Sequence, residues 1–277
     1  MKNRTNLSCL MNILGVFMIT ALVLAVMPAG PASATGVHLY VAVTGSDGGL
    51  NNCQTQLSPC LTITYAISQA TTDDIIHIAA GTYLEAITVD KSLSFIGAGM
   101  NQTFLDANYS ARVVSISGSL NVSFSDLTIQ NGNTTSWGGG INTSGGTLSL
   151  TRVKVRNNLA DTGGGISSFA VTTLDQCIIS GNTAYTGSGG GMVSSGNVTM
   201  TDCTVSGNST TGTSASGGGL SLWDGSMSIS RSTISGNTAT GAGGGIHIQG
   251  SSLKTLTNVT LSGNTAYHGG AIETSRS

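Results

Sequence analysis

The sequence predicts an all-β chain wound into a right-handed parallel β-helix, with a short helix capping its N-terminal end. Three observations predict it. Glycine is abundant, at 40 of 277 residues, while proline is scarce at 3 and charged residues reach only 8%, against about 25% in an ordinary globular chain. A Ser-Gly-Asn unit and a glycine cluster recur with a period in the twenties, which is the signature of a solenoid. Inside each unit the apolar residues alternate in steps of two, as strands require and helices do not. The hand follows from the rule that parallel crossovers are right-handed.

The first 34 residues read as an export signal. Lys2 and Arg4 give a positive start, Ile13 to Met27 is mostly apolar, and Ala32-Ser33-Ala34 supplies a small-residue cleavage site. That is the three-part secretory pattern, and the apolar run is shorter than the ~20 residues of a spanning helix. Cleavage after Ala34 leaves a β-helix domain over residues 35–277, with no later transmembrane segment. With Lys2 and Arg4 gone, eight basic residues face twelve acidic ones. A net negative chain lacks the basic face that nucleic acid demands, so that partner class is excluded. Export also permits disulfides. Cys53 and Cys60, seven residues apart, are the disulfide candidates.

Residues 58–71 come next and read as the capping helix. Ser58 suits an N-cap and Pro59 the first helical position. Cys60, Ile63, Ala66, Ile67 and Ala70 then share one face, fit to cover the unpaired edge of the first coil. Apolar runs from Ile75 to Ile116 predict two longer, irregular first coils.

Residues 120–277 form the regular part, in coils of about 26 residues. Ser-Gly-Asn stands at 180–182, 206–208, 235–237 and 262–264, with Arg156-Asn157-Asn158 in the same place one unit earlier. From Asn158 the asparagines step by 24, 26, 29 and 27 residues. Each is followed by a polar loop and a glycine cluster, closed by Ile141, Ile166, Met192, Leu220, Ile246 or Ile272. The apolar alternation slips once per unit, at Asp126, Arg152, Gln176, Asp202, Arg231 and Asn258, which marks a tight bend. Each unit therefore reads as three short strands, one bend and two looser turns. The asparagines are placed to stack as a ladder, and Asn tolerates the left-handed conformation that turns require. About eight coils at the strand spacing make a rod of ~40 Å. The last coil has no visible cap, so its edge is expected to be incomplete or open to end-to-end pairing with another chain.

Two segments resemble known families. "PCLTITYAISQA" followed by "DDIIHIAAGTYLEAITVDKSLSFIGAG" is similar to the opening of secreted bacterial β-helix repeat proteins. The "SGNTA…GGGI" units resemble the repeats of polymorphic outer-membrane proteins. Together these cover roughly residues 38 to 277. The resemblance implies a pectin-lyase-like β-helix, an extracellular or cell-surface location and a role in adhesion. It brings no catalytic residues with it. The C-terminal anchor or barrel of such relatives is not visible here.

The chemistry-bearing residues are few. Asp73-Asp74 sits where a turn enters a strand, and turn formation accounts for it. In the bend row, Asp126/Arg152 and Asp202/Arg231 fall on adjacent coils. They form either exposed charge pairs of little energetic weight or an acid–base surface; Asp202 and Arg231 are the catalytic candidates if the chain is an enzyme. Cys177 and Cys203 share an inward row. They read as core residues, free or linked across coils, because no histidine joins them to make a zinc site. His247 and His268 read as isolated histidines near turns.

Trp137, Tyr185 and Tyr267 occupy loops before glycine clusters and are the glycan-binding candidates, since aromatic rings stack on apolar sugar faces. Trp223 reads as a partly buried strand residue. The Gly-x-Gly patterns open no helix and precede no acidic partner, so nucleotide binding is dismissed. No metal or cofactor is expected. The functional expectation is a non-enzymatic secreted or cell-surface protein that binds polysaccharide or host-surface glycans. The alternative is a polysaccharide lyase or glycoside hydrolase on the same fold.

Overall fold

The computed structural model describes residues 36–250 and 252–275. The expected leader, residues 1–34, lies outside them. Strand after strand pairs in parallel with its equivalent one unit later, so the chain is a parallel β-helix. Among the described residues the pairings form a 15-stranded sheet (sheet A), an 8-stranded sheet (sheet B) and a 3-stranded sheet (sheet C).

A regular unit shows the order. Val171–Asp175 and Ile178–Ser180 lie in sheet A on either side of the bend at Gln176. Thr183–Ala184 follows in sheet C, and Met192–Ser194 in sheet B. The unit thus has four strand segments rather than three. The missed segment is two residues long, too short to show alternation.

Register places equal residues on top of one another. Ile76, Phe95, Phe124, Leu150, Leu174, Met200 and Ile229 stack in one inward row of sheet A, and none of them exceeds 1% exposure. Phe95 and Phe124 stack with ring centroids 4.6 Å apart. Burial of this row and its neighbours supplies the apolar driving force, at roughly 25 cal/mol per Å².

The bends are left-handed at each regular coil. Asp126, Arg152, Gln176, Asp202, Arg231 and Asn258 have φ between 47 and 57°. The asparagine ladder runs where it was expected, but its asparagines are not the left-handed residues. That conformation belongs to the residue before each: Asn157, Gly181, Gly207, Gly236 and Gly263. The ladder asparagines instead point inward to bond the next coil. Of each glycine cluster, the first residue turns the chain, as at Gly163 with φ 62°. The second allows close approach: a Cβ on Gly164 would overlap the carbonyls of Thr183 and Gly190.

The N-terminal region departs from expectation in two respects. The first coil is short, since Ile76 pairs with Phe95 only nineteen residues on; only the second is long. The helix is Ile63–Gln69, with Thr62 as N-cap in place of Ser58. Cys60 cannot begin a helix because it is held as a strand: its N–H donates to the Tyr40 carbonyl and its own carbonyl accepts from Ala42. Cys60 is also joined to Cys53 by a disulfide, with Cα atoms 5.1 Å apart. The free N–H groups at the helix start find a carboxylate, Ile63 and Thr64 donating to Glu85 at 2.8 and 2.9 Å. The expected face is buried, and Ile63, Ala66 and Ile67 pack on the first coil.

Candidate functional site

Sheet B sets the geometry of the candidate site. In each of its three-residue strands the first and third side chains point inward and the middle one points out. The outward row reads Thr88, Ser115, Asn142, Ser167, Val193, Ser221, His247 and Glu273. An outward row on a rod faces water, yet Ser167, Val193 and Ser221 are 0%, 2% and 0% exposed. Val193 is buried without belonging to the hydrophobic core.

Three aromatic rings cluster at this row and are tied to it through Trp223. Trp137 stacks on Phe169 with centroids 5.4 Å apart and meets Trp223 edge-on at 5.8 Å. Trp223 turns back over the row, its Nε1–H donating to Ser221 Oγ at 3.2 Å. Phe169 and Trp223 each directly follow a sheet B strand, Ile166–Ser168 and Leu220–Leu222. Trp137 approaches from the opposite end, just before the glycine cluster. Trp137 and Trp223 are half-buried, and Phe169 is 45% exposed. The result is a continuous aromatic surface along several coils. Beneath it Ser167 Oγ has no hydrogen-bond partner.

Only one of the three expected loop aromatics belongs to this surface. Register is fixed by the glycine cluster, so the position of Trp137 is taken by Thr162 in the next coil and by Ala242 and His268 in the last two. Tyr185 and Tyr267 fall elsewhere because the loops differ in length. Tyr185 is 40% exposed; Tyr267 is 81% exposed and meets only the His268 ring, edge-on at 4.4 Å. Phe169 and Trp223 are the residues the sequence reading missed. The signal was present: "GGGISSF" and "GGGLSLW" place an aromatic at the same offset from the cluster.

Beside the aromatic surface, toward the N-terminal end, lies a polar cleft of about 530 Å³. Thr88, Tyr109, Arg112, Ser115, Asn133 and Thr134 contribute to its walls. Arg112 ties the two together. Its Nε–H is shared between the carbonyls of Trp137 (3.0 Å) and Gly138 (2.9 Å), and Nη1 donates to Ser115 Oγ at 3.1 Å. Burial pushes the Arg112 guanidinium below its ordinary value. At the far end of the row His247 Nε2 bonds Ser275 Oγ at 3.1 Å, and burial holds His247 below the usual imidazole range.

The other candidates are structurally satisfied. Arg231 grips Asp202 through Nε and Nη2, both at 2.9 Å. Arg152 grips Asp126 likewise, at 2.6 and 2.7 Å. The Arg231 hydrogen bond holds the Asp202 carboxyl below its usual range, so it is a poor proton acceptor. Asp175 acts electrostatically on both arginines, an acidic neighbour the sequence reading had not attached to this row. Asp74 is buried and accepts from the N–H groups of Val37 and Thr71, each at 2.7 Å.

Cys177 and Cys203 are free and buried. Their sulfurs help fill the core, and Cys203 Sγ accepts the Cys177 N–H at 3.3 Å. The Cys203 hydrogen bond, then burial, push the Cys177 thiol up, away from thiolate chemistry. Among the described residues no group of three or more metal-ligating side chains occurs.

One family model matches a single repeat of this chain. Residues 231–249 match the family described as the Chlamydia polymorphic membrane protein (Chlamydia_PMP) repeat. The matched segment holds one bend, one ladder asparagine and one glycine cluster. A search of curated proteins finds no match. Among solved structures, pectin methylesterase from carrot is similar at a TM-score of 0.45 and 15% identity, covering 91% of this chain and 84% of that one. The repeat and the fold together fit a surface β-helix protein. No helix among the described residues is long and apolar enough to cross a membrane.

Proposed function

We propose that the chain is an exported, non-catalytic β-helix protein that binds extended glycans along the outer face of sheet B. One observation carries this reading: Trp137, Phe169 and Trp223, from three different coils, meet ring to ring in one aromatic surface. Aromatic rings offer large contact area at small entropic cost. A row of rings suits a ligand that is itself a row of flat, half-apolar rings. The rigid solenoid holds them in place before binding, which reduces the ordering cost of association.

Affinity electrophoresis against a panel of neutral and acidic polysaccharides tests it. Trp137→Ala and Trp223→Ala should each weaken retardation about tenfold, and Tyr185→Ala and Tyr267→Ala should leave it unchanged. Unaltered mobility of the wild-type chain in every polymer would overturn the reading. Release of reducing ends or unsaturated products, abolished by Asp202→Asn, would replace it with the lyase or hydrolase alternative.

A further inference from the structure

Among the described residues the arginines fall into two kinds, those paired with a carboxylate and those without one. Arg152 and Arg231 are each neutralised by an aspartate one coil below, through two hydrogen bonds. Arg112 and Arg156 have no such partner: among the described residues the ion pairs are Lys91–Asp90, Arg152–Asp126 and Arg231–Asp202, and Arg156 donates from Nε to the Gln130 side-chain oxygen at 2.9 Å. Yet Arg112 is half-buried, where an uncompensated charge is costlier than at the surface. Its surroundings fix the guanidinium without cancelling its charge, because carbonyls and a hydroxyl hold it.

A guanidinium carries five N–H donors. The Nε–H serves the two carbonyls and one Nη1–H serves Ser115. The second Nη1–H and both Nη2–H groups are left, and these make the planar fork that matches a carboxylate. Beside Arg112 the cleft presents hydroxyls and an amide, from Thr88, Tyr109, Asn133 and Thr134, next to the apolar Ala86, Ile87 and Ala111. Hydroxyls and amides pair with sugar hydroxyls. The same Arg112 holds the carbonyl of Trp137, so the cleft adjoins the aromatic surface.

We propose that the Arg112 cleft binds the carboxylate of an acidic sugar, within a glycan whose neighbouring rings lie along Trp137, Phe169 and Trp223. The proposal rests on the glycan-binding reading of this face and adds the chemical class of its ligand. Arg112 supplies the charge match, the aromatic surface supplies contact area, and the two act on successive residues of one polymer.

The test compares hyaluronan with its carboxyl-reduced derivative, with dextran sulfate as a third arm, by isothermal titration of the whole mature chain. The wild-type chain should favour hyaluronan over the reduced polymer by about tenfold or more, the scale of one charge-assisted contact. Added salt should erode that preference. Arg112→Gln should abolish the preference while retaining binding to the reduced polymer. Thr88→Tyr, which fills the cleft from an exposed wall position and leaves Arg112 intact, should do the same. An unchanged thermal midpoint for Thr88→Tyr separates loss of the site from loss of the fold.

Equal binding of hyaluronan and its reduced form would overturn the proposal while leaving the glycan-binding reading standing. So would a preference for hyaluronan that survives in both variants. Tight binding of dextran sulfate alone, lost in Arg112→Gln, would overturn the carboxylate assignment in favour of sulfate. Failure of all three polymers and of the neutral panel would instead remove the glycan-binding reading itself.

Discussion

Two polar rows run down this rod with the same period, and they have opposite weight. The asparagine row, Asn158, Asn182, Asn208, Asn237 and Asn264, lies inside, its first four members no more than 1% exposed. In the first four, Nδ2 donates to the next Oδ1 at 2.9–3.0 Å, and in all five it donates to a carbonyl of the coil behind. The bend row, from Asp126 to Asn258, lies outside, and its aspartates and arginines pair in water. The comparison teaches that a repeated polar residue tells little until its side of the wall is known. Buried, the amide must be satisfied completely; exposed, an ion pair adds little beyond what water offers.

The largest effect expected from this contrast is in the inner row. Asn208→Ala strands the Asn182 N–H, the Asn182 side-chain amide and the Ile179 carbonyl, all bonded to Asn208 at 2.9–3.0 Å. Each orphaned buried group costs about 1–3 kcal/mol. Urea unfolding should therefore show a loss of about 3–5 kcal/mol, with the coils around residue 208 opening first, as nearest-neighbour stacking requires. A loss under about 1 kcal/mol would break the comparison.

A middle-sized effect should come from pH. The asparagine row has no titratable group, and the bend row has none near neutrality. His77 is held below its ordinary value by burial and then by His38, and His247 by burial. A depressed histidine pKa means the unfolded chain takes up protons more readily. Stability is then fully present above the unfolded value of about 6.5 and declines as pH falls below it. The urea midpoint should drop between pH 8 and pH 5.5, and the drop should shrink in a His77→Gln, His247→Gln double variant. A midpoint that rises on acidification would contradict the burial of both rings.

The smallest effect belongs to the outer row. Asp202→Asn keeps a residue type that tolerates φ near 53° and removes only the charge gripped by Arg231. The thermal midpoint at pH 7 should not change measurably. A clear drop would show that the bend row stabilises the rod after all.

The sequence made the fold legible because its information is periodic. Spacing of Asn158 to Asn264 and the alternation around residues such as Val198, Met200, Cys203 and Val205 both follow from strand geometry. The site was less legible because it is not periodic. Trp137, Phe169 and Trp223 come from three coils and from two ends of sheet B, and loops of unequal length hide their register. Sharing a loop before a glycine cluster grouped Tyr185 and Tyr267 with Trp137; the residues that meet Trp137 are Phe169 and Trp223, which follow their clusters. Arg112 lies before the regular units begin, where no repeat marked it. The capping helix shows a third kind of failure. Ser58-Pro59 has the local chemistry of a helix start, but strand pairing and the disulfide at Cys60 outweigh it.

The asparagine row also has an arrow. In the first four members the N–H and Nδ2 groups reach forward to the oxygen of the following coil, from Asn158 to Asn182 and on to Asn264. The asparagine N–H and one of its two Nδ2 hydrogens are closed by the successor coil, while the other hydrogen already bonds the coil behind. Because a nascent chain emerges from its N-terminus, each coil stands as a half-finished template until the next amide arrives. The row therefore has one running direction, leading away from the disulfide-stapled helix end toward residue 264.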